Sequence, residues 1–127
     1  LPDEVRKRCR HVISENARVL ESVECLKRGD ATRFGALMWE SHDSLRDDYE
    51  VSCAELDILN ELARGLDGVV GERMTGAGFG GCAVAVVKRD AKNDIIRAMS
   101  EGYGKRAGRE LVVYESAAAY GAKCLED

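Results

Sequence analysis

The chain has 127 residues and a net charge of −4, and 45% of its residues are hydrophobic and 33% charged. This balance is typical of one soluble globular domain, and the negative charge argues against a nucleic-acid surface, which is usually basic. No apolar run approaches the roughly 20 residues of a membrane span, and no apolar core follows the charged first residues, as a signal peptide would require. Because the chain does not begin with Met, we expect a segment of a longer protein.

The five cysteines indicate a reducing compartment. Their number is odd and no C-x-x-C pair occurs, so the sequence predicts neither a disulfide framework nor a zinc site. We expect free thiols that act as small hydrophobic side chains, in a cytoplasmic protein.

Hydrophobic spacing predicts a long first helix. Residues recur at alternating intervals of four and three from Val5 to Leu26, which places them on one helix face, and we expect this face to be buried. Gly29 is expected to end the helix, and Asp30 to cap the start of the next one. The residues on the predicted face are Val5, Cys9, Val12, Asn16, Val19, Val23 and Leu26.

Two shorter helices are predicted to follow. Ser52 and Glu55 have the spacing of a capping box, in which the Ser hydroxyl and the Glu carboxylate satisfy the first free amides of a helix. They predict the start of a third helix, which should stop near Gly65. The second helix should bury Phe34, Leu37, Met38, Ser41 and Leu45, and the third should bury Leu56, Leu59 and Ala63.

Beyond Gly68 the pattern changes to that of β-strands. Residues 68–75 (GVVGERMT), 82–88 (CAVAVVK) and 109–116 (RELVVYES) are short runs rich in β-branched side chains, which favours strands. Residues 117–125 (AAAYGAKCL) can continue as a fourth strand after a kink.

A fourth helix is predicted between the second and third of these strands. Asp90 is expected to cap it, and it holds Ile95, Ile96 and Met99. Three leading helices followed by strand, strand, helix and strand predict an α+β domain, with a small, mostly antiparallel β-sheet packed against helices.

Four glycines, Gly76, Gly78, Gly80 and Gly81, crowd into six positions between two predicted strands. Three of them match G-x-G-x-x-G, but the dinucleotide-binding fingerprint requires a helix directly afterwards. A P-loop needs Gly-Lys-Ser/Thr at its end, where this chain has Cys82, and the other signatures of the protein kinases are absent. Two interpretations stay open: a nest of backbone amides that binds an anion, or a wide hairpin connection whose glycines relieve positive φ angles.

Other polar stretches predict no active site. Ser41, His42 and Asp43 have the letters of a catalytic triad, but consecutive residues point in different directions, so His42 is interpreted as a polar contact between helices or to a loop. The charged run SLRDDYE (44–50) is interpreted as a solvated face, and His11 as structural. We therefore predict no catalytic residue and no metal ligand in this chain.

Three longer stretches carry a family resemblance. MTGAGFGGC (74–82) closely resembles the third signature motif of the GHMP small-molecule kinases. RHVISE (10–15) and FGALMWESHDSLRDDYEVSCAELD (34–57) are similar to the C-terminal part of those members that phosphorylate galactose or a related sugar. The family usually has Pro where Ala54 stands, and because Pro is welcome in a first helical turn, Ala leaves the assignment unchanged.

The resemblance implies two domains with different tasks. It implies that residues 1–127 form one ferredoxin-like C-terminal domain, and that the catalytic residues, the Mg²⁺ ligands and most sugar contacts belong to an N-terminal domain outside this chain. The full-length enzyme would use ATP and Mg²⁺, and this chain alone would be inactive. The loop would support the phosphate site at the domain cleft through Gly76, Ala77, Gly78, Phe79, Gly80 and Gly81.

A second interpretation, of another class, stays open. In it the chain is a free-standing, non-catalytic module of the same fold that uses the loop to bind an anion or the edge of another protein. If a partner domain normally covers the cleft side, Phe79 and Met74 should be exposed in this chain, as an apolar patch through which it can self-associate. We expect no nucleic-acid and no membrane partner.

Overall fold

The computed structural model describes residues 1–122, which form four α-helices and one antiparallel pair of strands. The helices are α1 (Asp3–Arg28), α2 (Ala31–Ser44), α3 (Ala54–Arg64) and α4 (Lys92–Ala107), and the strands are β1 (Val69–Thr75) and β2 (Cys82–Val87). A π-helical turn, Leu45–Tyr49, extends α2, and a 3-10 turn, Arg89–Ala91, precedes α4. The predicted α+β class is confirmed. Within residues 1–122, no helix is long and apolar enough to cross a bilayer.

The junction of α1 and α2 follows the predicted signals. Gly29 has a left-handed φ of 70° and ends α1, and the Asp30 carboxylate accepts a hydrogen bond from the Arg33 N–H at 3.0 Å, as an N-cap does. These boundaries depend on contacts within one turn, which is why the sequence reveals them.

Two other predicted caps are wrong. The N-cap of α3 is Cys53 and not Ser52, because the Ser52 hydroxyl donates to the Asp57 carboxylate at 2.6 Å and is drawn away from the helix amides. Asp90 lies inside the 3-10 turn, and α4 starts after Ala91 with no side-chain cap.

The core forms where α2 lies directly on β1. A Cβ atom on Gly35 would sit 1.9 Å from the Val70 carbonyl oxygen, and one on Gly71 would sit 2.7 Å from the Gly35 Cα. Glycine is therefore required on both sides of this contact, and the two backbones touch. The buried hydrophobic side chains are Cys25, Leu37, Met38, Leu56, Ala63, Met74, Ile95 and Tyr103, so the predicted inward faces of α2, α3 and α4 are largely confirmed.

The predicted buried face of α1 is wrong. Its apolar residues point to solvent, with Val12 58% and Leu26 62% exposed, and the helix contacts the body through His11 and Cys25 instead. Spacing reveals that a helix has an apolar face but not what covers it. The apolar residues exposed on this helix, hereafter the α1 stripe, are Val5, Val12, Ile13, Val19, Leu20, Val23 and Leu26.

The third predicted strand is also wrong. Residues 110–116 have no regular structure, and Val112, Val113 and Tyr114 are exposed. A strand needs the hydrogen bonds of a neighbour as well as β-branched residues, and within the described residues β2 pairs with β1 alone. The fourth predicted strand is likewise absent from residues 117–122, and its remainder lies outside the described residues.

Free thiols are confirmed for the four described cysteines, Cys9, Cys25, Cys53 and Cys82. Only Cys25 is fully buried and acts as a core residue, whereas Cys9 and Cys82 are exposed. Cys124 lies outside the described residues.

Candidate functional site: the glycine loop

The glycine loop, residues 76–81, joins the two strands after the pair Thr75 and Cys82. Four of its residues have left-handed backbones: Gly76 (φ 78°), Gly78 (φ 81°), Phe79 (φ 54°) and Gly80 (φ 105°). Phe79 alone among these four carries a side chain in a region that L-residues seldom occupy. The three glycines adopt these angles without strain, whereas Phe79 keeps its positive φ only where surrounding contacts impose it.

The contact that imposes this shape comes from Val51, in the segment between α2 and α3. The Phe79 N–H donates to the Val51 carbonyl oxygen at 2.8 Å, and the Gly81 N–H donates to Gly78 at 3.2 Å. A Cβ atom on Gly78 would lie 2.3 Å from the same Val51 oxygen. Gly78 is therefore needed both for its φ angle and for its closeness to Val51.

The remaining amides of the loop stay available. Among residues 1–122, the N–H groups of Gly76, Ala77, Gly78 and Gly80 donate to no backbone carbonyl, and the loop is largely exposed. Successive amides on a backbone with left-handed residues can converge on an anion. The loop thus turns a corner and also leaves four N–H groups without a backbone acceptor in residues 1–122, so the two interpretations of the glycines are compatible.

A cleft of about 310 Å³ opens beside the loop. Its wall includes Cys53, Leu56, Leu59, Phe79, Tyr103 and Arg109. The Arg109 guanidinium lies 4.0 Å from the Glu55 carboxylate, and the pKa of Glu55 is lowered, first by its own backbone N–H and then by Cys53 and Arg109. The sequence offered no signal for Arg109, which falls in the segment predicted to be a strand.

His42 contacts β1, the strand that leads into the loop. Its imidazole is fully buried, and Nδ1 accepts a hydrogen bond from the Met74 N–H at 3.2 Å. The proton of the neutral ring is therefore assigned to Nε2, which lies 3.5 Å from the Asp57 carboxylate. Burial lowers the pKa of His42, and Asp57 opposes that shift only in part. The neutral imidazole thus links α2 to β1, whereas Nε2 lies beside Asp57 of α3 but is buried without a hydrogen-bond partner in residues 1–122.

The neighbours of His42 confirm that no triad exists here. The Ser41 hydroxyl donates to Glu15 at 2.7 Å, and Asp43 accepts from Arg64 at 2.6 Å, so both are turned to other partners. The predicted polar contact of His42 is confirmed, but its contact with the strand that leads into the loop was missed. No spacing rule marks a contact between residues 32 positions apart.

A second buried polar pair lies behind the loop. Asn60 donates to Glu72, and the other carboxyl oxygen of Glu72 is buried without a partner. Burial raises the pKa of Glu72 to about 7, and the Asn60 hydrogen bond and the Arg64 charge oppose the rise. Arg64 in turn donates from Nε to the side-chain oxygen Oδ1 of Asn60 at 2.8 Å.

The charged run SLRDDYE is more than a solvated face. Asp47 and Tyr49 are exposed, but the run forms a π-helical turn that ends at Glu50, a non-glycine residue with a left-handed φ of 59°. The next residue, Val51, is the one that holds the loop. The predicted solvated face is therefore only half correct, because the turn also places a backbone carbonyl.

His11 is structural, as predicted. Its ring is buried, stacks on Tyr49 with centroids 4.7 Å apart, and shares a hydrogen bond of 2.9 Å between Nδ1 and the Ser44 hydroxyl.

The prediction that Phe79 and Met74 are both exposed next to the loop is half wrong. Phe79 is 72% exposed, but Met74 is fully buried because its side chain points from β1 into the core.

Glu55 lies in the wall of the cleft beside the loop, together with Cys53 and Arg109. Within residues 1–122, no three His, Cys, Asp or Glu side chains lie where they could together hold a metal ion. The loop itself supplies backbone N–H groups, which bind and position anions without reacting.

The fold and this loop define a class of protein. The profile of the family described as GHMP kinases C terminal matches residues 22–105, which is more than half of the chain. The chain belongs to the GHMP kinase family, as the resemblance implied.

Within that family, the similar proteins are galactokinases. The galactokinase of Chloroflexus aggregans is 46% identical over 125 residues, which cover 98% of this chain and 32% of that protein. The human galactokinase is 50% identical over 119 residues, which cover 94% of this chain and 29% of that protein. The crystal structure of Lactococcus lactis galactokinase complexed with galactose superposes with a TM-score of 0.82 at 44% identity, over 85% of this chain and 28% of that one. The chain thus spans about a third of the length of these relatives.

Proposed function

We propose that this chain is the C-terminal domain of a galactokinase, which transfers the γ-phosphoryl group of ATP to the C1 hydroxyl of galactose. The observation that carries the proposal is the glycine loop, four of whose amides donate to no backbone carbonyl in residues 1–122, in a chain 44–50% identical to galactokinases along most of its length. Phosphoryl transfer depends mainly on positioning and on charge stabilisation. A loop that offers only amides can therefore contribute to it.

In this proposal the loop supports the phosphates of ATP. The amides of Gly76, Ala77, Gly78 and Gly80 fit phosphate oxygens, because backbone donors on flexible glycines approach an anion closely. The N–H groups of the loop do not fit Mg²⁺, which prefers carboxylate and phosphate oxygens. The Mg²⁺ that accompanies ATP would be held by the nucleotide and by residues outside this chain.

The catalytic residues and most of the sugar contacts would lie in an N-terminal domain. The chain accounts for about a third of its relatives' length, and its residues 1–122 hold no group of three side chains placed to bind a metal ion. The chain alone would then be inactive, and the complete enzyme would act on galactose in the cytoplasm.

A chimera tests this proposal directly. The chain would replace the stretch that it matches in the galactokinase of Chloroflexus aggregans, and ATP- and galactose-dependent phosphorylation would be followed by a coupled assay. We expect turnover by the chimera and none by the 127-residue chain alone. A folded chimera without activity would contradict the assignment to a galactokinase, and turnover by the chain alone would contradict the need for a second domain.

A further inference from the structure

The glycine loop rests on a turn that is itself tied to α1. The Arg8 guanidinium nitrogen Nη1 donates to the Asp48 carbonyl oxygen and to the Glu50 carboxylate, both at 2.7 Å. The two accepting residues flank Tyr49, which is the last residue of the π-helical turn. Lys7 adds a longer contact of 3.4 Å to the other oxygen of the Glu50 carboxylate.

The backbone conformation of Glu50, which the bond to Arg8 holds in place, is unfavourable by itself. Glu50 has a φ of 59°, and a residue with a Cβ atom adopts this region only under constraint. Glycine would fit there without strain. The side chain of Glu is thus present where the backbone favours glycine, and that side chain is the acceptor for Arg8.

The left-handed turn at Glu50 reverses the chain and orients the Val51 carbonyl toward the loop. The Val51 N–H returns to the Leu45 carbonyl oxygen at 3.1 Å, and the Val51 carbonyl oxygen accepts from the Phe79 N–H at 2.8 Å. One continuous path of hydrogen bonds and backbone therefore runs from Arg8 on α1 to Phe79 in the loop.

We propose that Arg8 and Glu50 are positioning residues for the glycine loop: their ion pair fixes the left-handed turn, and the turn presents the Val51 carbonyl that sets the shape of the loop. Neither side chain reaches the loop. Their effect passes through Val51, which is why the role is one of positioning. The kinetic consequence rests on the proposed function, but the structural consequence does not.

If the Arg8–Glu50 ion pair only stabilised the end of α2, its removal would have a different effect on amide exchange. An ion pair that only stabilised the end of α2 would lower the stability of the whole domain when removed, and all slowly exchanging amides would respond together. A positioning role loosens the Phe79 amide selectively. The two roles therefore separate in a residue-level measurement.

The first measurement is amide hydrogen exchange on the 127-residue chain with Arg8→Gln and Glu50→Gln. We expect the Phe79 amide to exchange about two- to fivefold faster, in line with the loss of one exposed ion pair, while the amides of the β1–β2 ladder keep their rates. The control is Arg33→Gln, which removes exposed ion pairs to Glu21 and Glu40, away from the π-helical turn, and should leave Phe79 unchanged. An unchanged Phe79 rate in both variants, or equal acceleration of all amides, would overturn the inference.

The second measurement uses the galactokinase chimera. Arg8→Gln should raise the KM for ATP about two- to fivefold, because a loosened loop positions the phosphates less well, and should leave the KM for galactose unchanged. Arg8→Lys should restore part of the affinity for ATP. Equal changes in both KM values would contradict the positioning role. If the chimera is inactive, the proposed function fails, and the exchange rates of Phe79 alone decide this inference.

Discussion

The Met74 N–H donates to Nδ1 of His42 across 3.2 Å, and both groups are buried. Met74 is the penultimate residue of β1, so this bond fixes the strand just before the chain enters the glycine loop. His42 belongs to α2, which makes the helix a support for the start of the loop. The opposite side of the loop is held by Val51, which follows α2 in the chain.

We expect His42→Ala to destabilise the domain by about 2–4 kcal/mol, because it leaves the Met74 N–H unpaired and opens a cavity. His42→Asn places a carbonyl oxygen close to the position of Nδ1 and should recover part of the loss. Urea unfolding of the chain measures both variants. Equal losses for Ala and Asn would mean that the hydrogen bond to Met74 contributes little.

Glu72→Gln should change the pH dependence of stability. The pKa of Glu72 is raised to about 7 in the folded state from 4.5, so its contribution is complete below pH 4.5 and is lost as the pH rises through 7. The size of this loss is about 3 kcal/mol. Because Gln has no proton to lose, the unfolding free energy of the variant relative to the wild type should rise between pH 5 and pH 8.

Urea unfolding at several pH values checks this expectation. The two buried histidines work in the opposite direction, because burial lowers the pKa values of His11 and His42. Stability held by neutral histidines is lost as the pH falls through about 6.5, so Glu72→Gln should reveal a slope that Glu72 partly masks. A constant difference between variant and wild type at all pH values would show that Glu72 is not protonated in the folded chain.

Gly78→Val and Gly80→Val should weaken the nucleotide site of the chimera to different extents. Both positions have positive φ, so a branched side chain costs on the order of 1–3 kcal/mol in strain. Only Gly78 also faces a backbone oxygen, since no atom lies within 4 Å of a Cβ built on Gly80. We expect a higher KM for ATP or a lower kcat in both variants, a larger effect at Gly78, and a smaller change in the KM for galactose.

Steady-state kinetics in both substrates, with a thermal melt on each preparation, measures these effects. Gly29→Val is the matched control, because Gly29 also has a positive φ and open space around it but ends α1, outside the loop. Normal kinetics for both loop variants would make the loop a simple connection. A large fall in Tm would instead make it a folding element.

The α1 stripe should make the isolated chain self-associate, because it is a long apolar surface open to water. Val12→Glu with Val19→Glu should shift the chain toward monomer, and Phe79→Ser should shift it less. Sedimentation at several concentrations measures the change. A stronger effect of Phe79→Ser would place the self-association at the loop, as the sequence predicted.

The sequence predicts best those features that depend on neighbours along the chain. Gly29 and Asp30 define the first two helices within one turn, and residues 69–75 and 82–87 pair through a short connection. The burial of the predicted α1 face and the strand at 109–116 were predicted wrongly, because each depends on a partner surface that local pattern does not specify. The same reason hides Val51 and His42, which reach the loop through a main-chain oxygen and a buried ring from positions remote in sequence.

The direct contact between the backbones of Gly35 and Gly71 has a mechanical consequence. Side chains in a packed interface can change rotamer and absorb small displacements, but Gly35 and Gly71 contribute no side chain to this contact between α2 and β1. A tilt or shift of α2 is therefore transmitted to β1 without damping. Since β1 leads into the glycine loop, the orientation of that helix and the position of the loop amides are rigidly linked.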